Sequence, residues 1–263
     1  MSSSPPVVLA FAASDPTGGA GLQADVLTLA SLGCHPLSVL TGLTVQDTRG
    51  VDSLLAMESA WVASQARRVL EDIPVAAFKL GVLGSAANAR MVAAILAEHP
   101  RAHVVLDPVL ASGRGDSLAD AETIEVLRNA LLPRTTVLTP NSLEARRLAG
   151  AAPDADLSAC ARELTKLGCK HVLVTGTHEA GAQVVNTLYG ARGALREDRW
   201  QRLPGSYHGS GCTLASAIAA LLAKGLAVES AAREAQDYTW KSLAAGFAPG
   251  RGQSIPDRLF RSR

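Results

Sequence analysis

Residues 7–21 read Val7-Val8-Leu9-Ala10-Phe11-Ala12-Ala13-Ser14-Asp15-Pro16-Thr17-Gly18-Gly19-Ala20-Gly21. The apolar run 7–12 predicts a buried strand, the glycines a tight turn, and the spacing over 22–32 a helix. A strand that passes through a glycine-rich turn into a helix is the opening of a β-α-β unit. The theme recurs along the chain. Strands are predicted at 36–43, 76–81, 103–107, 135–138 and 171–175, and helices at 61–70, 86–98, 119–131, 142–148 and 157–167. Such alternation implies right-handed crossovers and an α/β fold, with a mostly parallel sheet covered by helices on both faces. Near residue 182 the pattern changes. Residues 183–189 and 194–203 alternate around Gly190 and Gly193 as a C-terminal antiparallel hairpin would, and helices over 212–224 and 227–245 follow. No repeat or long polar linker divides the chain, so one domain over 1–263 is expected, with an ordered core of about 7–246.

A chain of 263 residues, 48% hydrophobic and 19% charged, can bury a full core. With 25 Lys and Arg against 24 Asp and Glu, and no clustered basic face, nucleic acid is not an expected partner. The four cysteines, Cys34, Cys160, Cys169 and Cys212, lack zinc-ligand spacing. The first residues carry no basic stretch, and the run 7–13 is too short to span a membrane. Cytoplasmic residence with reduced thiols is therefore expected.

Four segments carry the chemistry. In the first, residues 13–21, glycines let backbone approach a ligand at the carboxyl end of a strand, where open α/β sheets bind. It fits neither the dinucleotide fingerprint nor a Walker loop. Asp25 on the following helix reads by itself as a dipole partner in a first turn. The second segment is Gly42-Leu43-Thr44-Val45-Gln46-Asp47-Thr48-Arg49-Gly50. The Gln46 carboxamide offers a donor beside an acceptor, the complement of a ring nitrogen beside an amino group. From this segment alone a surface glutamine in a turn is the simpler reading.

The third comprises Asp107-Pro108-Val109 and Thr139-Pro140-Asn141-Ser142-Leu143-Glu144. Each puts a carboxylate at or just past a strand end, where Asp107 and Glu144 suit magnesium on a nucleotide, directly or through water. Glu144 is equally a favourable first-turn acid of a helix begun at Asn141. The fourth, Gly209-Ser210-Gly211-Cys212, opens an apolar helix. Free amides there suit the charge of a transferring phosphoryl group, and the helix field is expected to lower the Cys212 pKa and make it a workable base. The alternative is a small buried cysteine. No His-Asp pair is expected near it, and His208 reads as locally satisfied.

In this order and spacing the segments resemble the hydroxymethylpyrimidine/phosphomethylpyrimidine kinases of thiamine biosynthesis, within the ribokinase-like superfamily. Matching stretches are residues 14–25, 43–51, 79–85, 107–109, 139–145 and 208–214, and the resemblance spans about 7–246. It implies ATP and Mg²⁺ as cosubstrates and two phosphorylations, first of the pyrimidine alcohol and then of its monophosphate. It also brings in pairing as a homodimer. Carried over by position, Gln46 would read the pyrimidine edge, and Asp25 would lie in the substrate pocket with Gly21, Thr44, Val82 and Val109. Gly209, Ser210, Gly211 and Cys212 would form the anion hole, with Cys212 in the place of a catalytic aspartate. Asp107, Asn141, Glu144 and Thr175 would face nucleotide and metal.

This chain departs from the family pattern at several points. A lysine expected after Asp107-Pro108-Val109 gives way to Ala111-Ser112-Gly113-Arg114-Gly115-Asp116, where Arg114 is a substitute of different geometry. A second lysine is Thr175, a pocket methionine is Val82, and a histidine-bearing C-terminal motif is replaced by Pro256-Asp257-Arg258-Leu259-Phe260. The leading expectation is a kinase of the pyrimidine alcohol and its monophosphate. A pyridoxal or pyridoxine kinase on the same fold is the alternative, and a non-catalytic pyrimidine-binding module a more distant one.

Overall fold

The short apolar runs form the central strands. The computed structural model describes residues 4–111, 115 and 117–262. Its strands are β1 (Val7–Ser14), β2 (His35–Gln46), β3 (Val51–Ala56), β4 (Ala77–Leu80), β5 (His103–Leu106), β6 (Val137–Leu138), β7 (His171–Thr175), β8 (Gln183–Gly190) and β9 (Gly193–Gln201). They make one sheet in the order β3-β2-β1-β4-β5-β6-β7-β8-β9. From β2 to β7 every pairing is parallel, while β3, β8 and β9 add on antiparallel.

The helices are α1 (Gly21–Ser31), α2 (Ser59–Leu70), α3 (Ala86–Glu98), α4 (Ala121–Val126), α5 (Ser142–Ala149), α6 (Leu157–Lys166), α7 (Ser210–Ala223) and α8 (Val228–Ala244). Alternate strand residues serve opposite faces, as a pleated sheet requires. Leu9, Phe78, Leu106 and Leu138 pack toward the layer containing α2, α3, α5 and α6. Val8, Ala77, Val105 and Val137 pack toward α1, α7 and α8. Helix α7 is buried without a break from Cys212 to Leu222, because it lies between the sheet and its two neighbouring helices. Its many alanines permit that close approach.

Two expectations change. Residues 51–56, which carry no strand signal, form β3 at the sheet edge. Asp52, Ser53 and Leu55 face solvent, so no apolar run marks the strand. Its pairing comes instead from the preceding turn, in which the Asp47 amide donates to the Gly50 carbonyl at 3.1 Å and the Asp47 carboxylate accepts the Arg49 amide at 2.7 Å. The helix expected over 119–131 is α-helical only in α4. It widens to a π-turn over Leu127–Leu131 and tightens to a 3₁₀ turn over Leu132–Arg134, where Pro133 has no amide to continue the ladder.

Candidate active site

All six parallel strands end on one side, and the loops that follow them line a cleft of about 820 Å³. Gly21, Thr44, Gln46, Val82 and Val109 stand on its walls, as do Asp107, Asn141, Glu144 and Thr175. Residues Gly209, Ser210, Gly211 and Cys212 complete it. Segments separated by more than 160 positions meet because each parallel crossover returns the chain to the same edge.

Of the helix N-termini that meet this cleft, those of α5 and α7 differ in kind. Helix α5 is closed by its own side chains. The Asn141 carboxamide oxygen accepts the Glu144 amide at 2.9 Å, and the Glu144 carboxylate accepts the Asn141 amide at 3.0 Å. Helix α7 has no side-chain cap. Its N-cap, Gly209, sits at φ 82°, where a Cβ would meet the Gly19 carbonyl oxygen at 1.8 Å. Only glycine fits there. The Gly209 carbonyl turns inward to accept the Thr213 amide at 3.0 Å, while the first amides of α7 stay free of intrahelical partners.

Below the cleft floor lies a buried ion pair. The Lys79 ammonium is 2.8 Å from one Asp25 oxygen and 2.9 Å from the other, with both side chains fully buried, and the Ser216 hydroxyl donates to Asp25 at 2.8 Å. Asp25 therefore corrects both readings made of it. It belongs to the second turn of α1, not the first, and it reaches the cleft only through Lys79. Burial alone would depress the Lys79 pKa, but Asp25, Cys212 and Asp107 outweigh it and raise it well above the usual lysine range. Cys212 is corrected as well. Burial pushes its thiol up to about 12, against the pull of Lys79, so the free protein holds a thiol and not a thiolate. That thiol faces the Asp107 carboxylate.

Asp107 and Glu144 form the anionic part of the site. Burial raises Asp107 to about 6, with Lys79 pulling the other way, and its Oδ2 is buried without a hydrogen-bond partner. Glu144 is half-buried with its carboxyl turned inward, accepting the Leu110 amide at 3.3 Å. Burial first and then the Asp107 charge raise it to about 8. Among the described residues no cluster of three or more His, Cys, Asp or Glu could hold a metal alone. Two carboxylates and one orphaned oxygen instead suit a hard cation that takes its remaining ligands from phosphate and water.

At the other end, the Thr44 hydroxyl donates to the Ser14 carbonyl at 2.8 Å and accepts the Gln46 side-chain amide at 2.7 Å. One amide hydrogen of Gln46 is thereby fixed, leaving its second hydrogen and its oxygen for a ligand. His208 Nε2 lies 2.8 Å from Asp15, so a His-Asp pair does stand next to the Gly209–Cys212 turn, contrary to expectation. Burial works upward on Asp15, but the His208 bond and the Thr17 amide outweigh it and hold the carboxyl below its ordinary range. The sequence reading assigns no site role to Lys79, Asp15, His208 or Arg258. A lysine inside the apolar run Ala76-Ala77-Phe78-Lys79-Leu80 was the available signal, since a buried central strand tolerates an ammonium only beside an acid. The expectation for Ser112, Gly113, Arg114 and Asp116 lies outside the described residues.

A family model for phosphomethylpyrimidine kinase matches residues 15–257. A hydroxymethylpyrimidine/phosphomethylpyrimidine kinase of Streptomyces coelicolor is 42% identical over 254 residues, covering 94% of this chain and 92% of that one. Among solved structures, a phosphomethylpyrimidine kinase from Clostridium difficile superposes with TM-score 0.79 at 32% identity, covering 90% of this chain and 99% of that one. A pyridoxal kinase from Staphylococcus aureus, in complex with AMP-PCP and pyridoxal, gives TM-score 0.88 at 26% identity, covering 98% and 95%.

The raised carboxyl of Glu144 fixes a pH signature. A carboxyl whose folded pKa exceeds its unfolded value, about 4.3 for Glu, stabilises below that value and loses the contribution as pH rises toward about 8. Glu144→Gln keeps an acceptor for the Asn141 amide and removes the charge. Its melting temperature should lie near the parent's at pH 5 and roughly 2–4 °C above it at pH 8.5 without ligand. Coincident melting curves at pH 8.5 would show that Glu144 carries no buried charge.

Proposed function

The chain belongs to the phosphomethylpyrimidine kinase family, and from that premise we propose that this cleft transfers the γ-phosphoryl of ATP first to the hydroxymethyl group of an aminopyrimidine and then to the resulting monophosphate, the two steps of thiamine biosynthesis. The observation that carries the reading is the uncapped, glycine-opened N-terminus of α7 on the same cleft as Gln46. The ribokinase-like architecture is shared with the bacterial kinases above. A cavity of about 820 Å³ has room for a nucleotide and a small ring together.

Gln46 pairs with the ring nitrogen and amino group, between Thr44 and the apolar Val82 and Val109. The free amides from Gly209 to Cys212 take the negative charge of the transferring group, preorganised by the Gly209 turn. The substrate oxygen forms the new P–O bond while the bond from the γ-phosphorus to the bridging oxygen breaks, and ADP leaves. In a loose transition state the hydroxyl keeps its proton until late. It then passes to Cys212 Sγ as the thiol proton passes to the Asp107 carboxylate. Lys79 balances the charge below. Mg²⁺ fits the orphaned Asp107 Oδ2 and Glu144, directly or through water, and would neutralise phosphate oxygens there. Cytoplasmic residence and a homodimer belong to the same reading, the latter supported by the exposed stripe Leu43, Val45 and Leu55 on the β2–β3 hairpin.

The deciding assay supplies Mg-ATP and hydroxymethylpyrimidine and resolves monophosphate from diphosphate by mass, with pyridoxal in parallel. Both pyrimidine products are expected, at a higher kcat/KM than for pyridoxal. Preferential turnover of pyridoxal would move the protein to the neighbouring vitamin kinases. Cys212→Ala should lower kcat about 10²–10⁴-fold for the alcohol, while sparing the second step, whose phosphate nucleophile has no proton to lose. Equal losses in both steps would remove Cys212 from proton transfer. Gln46→Ala should raise KM for the pyrimidine at least about tenfold with kcat held, since it removes a paired contact. An unaltered KM would leave ring recognition to other groups.

A further inference from the structure

The segment Pro256-Asp257-Arg258-Leu259-Phe260, which replaces a histidine motif, enters the site from behind. Arg258 is only 3% exposed. Its Nε donates to the Thr213 hydroxyl at 3.0 Å and Nη1 to the Gly18 carbonyl at 3.3 Å. Nη2 donates to the Gly19 carbonyl and reaches the Gly209 carbonyl at 3.5 Å. Thr213 in turn donates its hydroxyl to the Gly209 carbonyl at 2.8 Å. One planar guanidinium thus joins the glycine loop after β1 to the turn that opens α7. The backbone holds it in place, since the Tyr238 hydroxyl donates to the Arg258 carbonyl at 2.7 Å and the Ser242 carbonyl accepts the Asp257 amide at 2.9 Å.

Every acceptor on this guanidinium is an uncharged oxygen. The Gly209 turn needs its carbonyl drawn inward so that the next amides face the cleft, and Arg258 helps hold it so. The Gly19 carbonyl, which fills the space a Cβ on Gly209 would take, is held by the same nitrogen. A lysine would keep the charge, but as a point donor it could not span the loop and the helix in one plane.

We propose that Arg258 is the positioning residue of the anion hole, locking the Gly18–Gly19 loop to the Gly209 turn and setting a buried positive charge, in no salt bridge among the described residues, behind the amides that receive the phosphoryl group. The proposal rests on the kinase reading. Its charge is realised most when negative charge concentrates at the hole, so it favours the transition state over bound substrate.

The test compares Arg258→Ala and Arg258→Lys in the full chain. Arg258→Ala should lower kcat about 10²-fold with the pyrimidine KM within about twofold, and methylguanidinium should restore part of the loss. Arg258→Lys should fall between the two, and it carries the test should the alanine variant not fold. Calorimetry with Mg-ADP, alone and with aluminium fluoride as a stand-in for the transferring phosphoryl, separates positioning from bulk structure. Both variants should bind Mg-ADP as the parent does and lose affinity for the fluoride complex. A kcat within about twofold of the parent in Arg258→Ala, or equal weakening of both ligands, overturns the proposal. Absence of pyrimidine turnover in the parent would overturn the functional reading alone, because the fluoride comparison still decides the role of Arg258.

Discussion

The ion pair of Lys79 with Asp25 ties together the parts on which this site is built. It joins β4 to α1, and through Ser216 it reaches α7. Two charges with no solvent exposure persist only when each satisfies the other, and removal of one partner from such a pair costs about 3–5 kcal/mol. The pair also sets the charge balance above it. Lys79 restrains the upward drift of Cys212 and Asp107, while Asp25 adds to it. A hydrophobic replacement would suit stability at least as well. What the ion pair supplies instead is a fixed pair of charges below the open N-terminus of α7.

Around that pair, the cleft follows from connectivity. A parallel sheet delivers strand ends to one edge, and each loop needs only a few correct residues there. The two helix N-termini illustrate the division of labour. Asn141 and Glu144 close α5 upon itself, so their polar atoms are already held in place. Helix α7 is left open, and its turn is stabilised from the rear by Thr213 and Arg258.

Much of this was legible in the sequence, because its signals were local. The strand from Val7 and the helix from Ala86 are continuous patterns, and the glycine at 209 marks a turn that a side chain would obstruct. What escaped were relations between distant residues. Nothing near Asp25 announces Lys79, 54 positions away, nor does His208 announce Asp15 at a separation of 193. The Cys212 pKa was misjudged for the same reason. A helix N-terminus favours a thiolate, but three-dimensional burial is the larger effect. Strand β3 escaped because an edge strand with exposed polar residues has no apolar signature.

Gly209 and Gln46 face the same cleft but differ in what they permit to lineages that diverge. At Gly209 the obstacle is its own backbone neighbour, the Gly19 carbonyl, and it stands whatever ligand is bound. At Gln46 the half-exposed side chain is hydrogen-bonded only by Thr44 among the described residues, and exchange would disturb little of the fold. Descent from such an architecture can therefore change the side chain at the strand end while the glycine turn stays frozen. Invariance at the first position would record geometry, and variation at the second would record a change of diet.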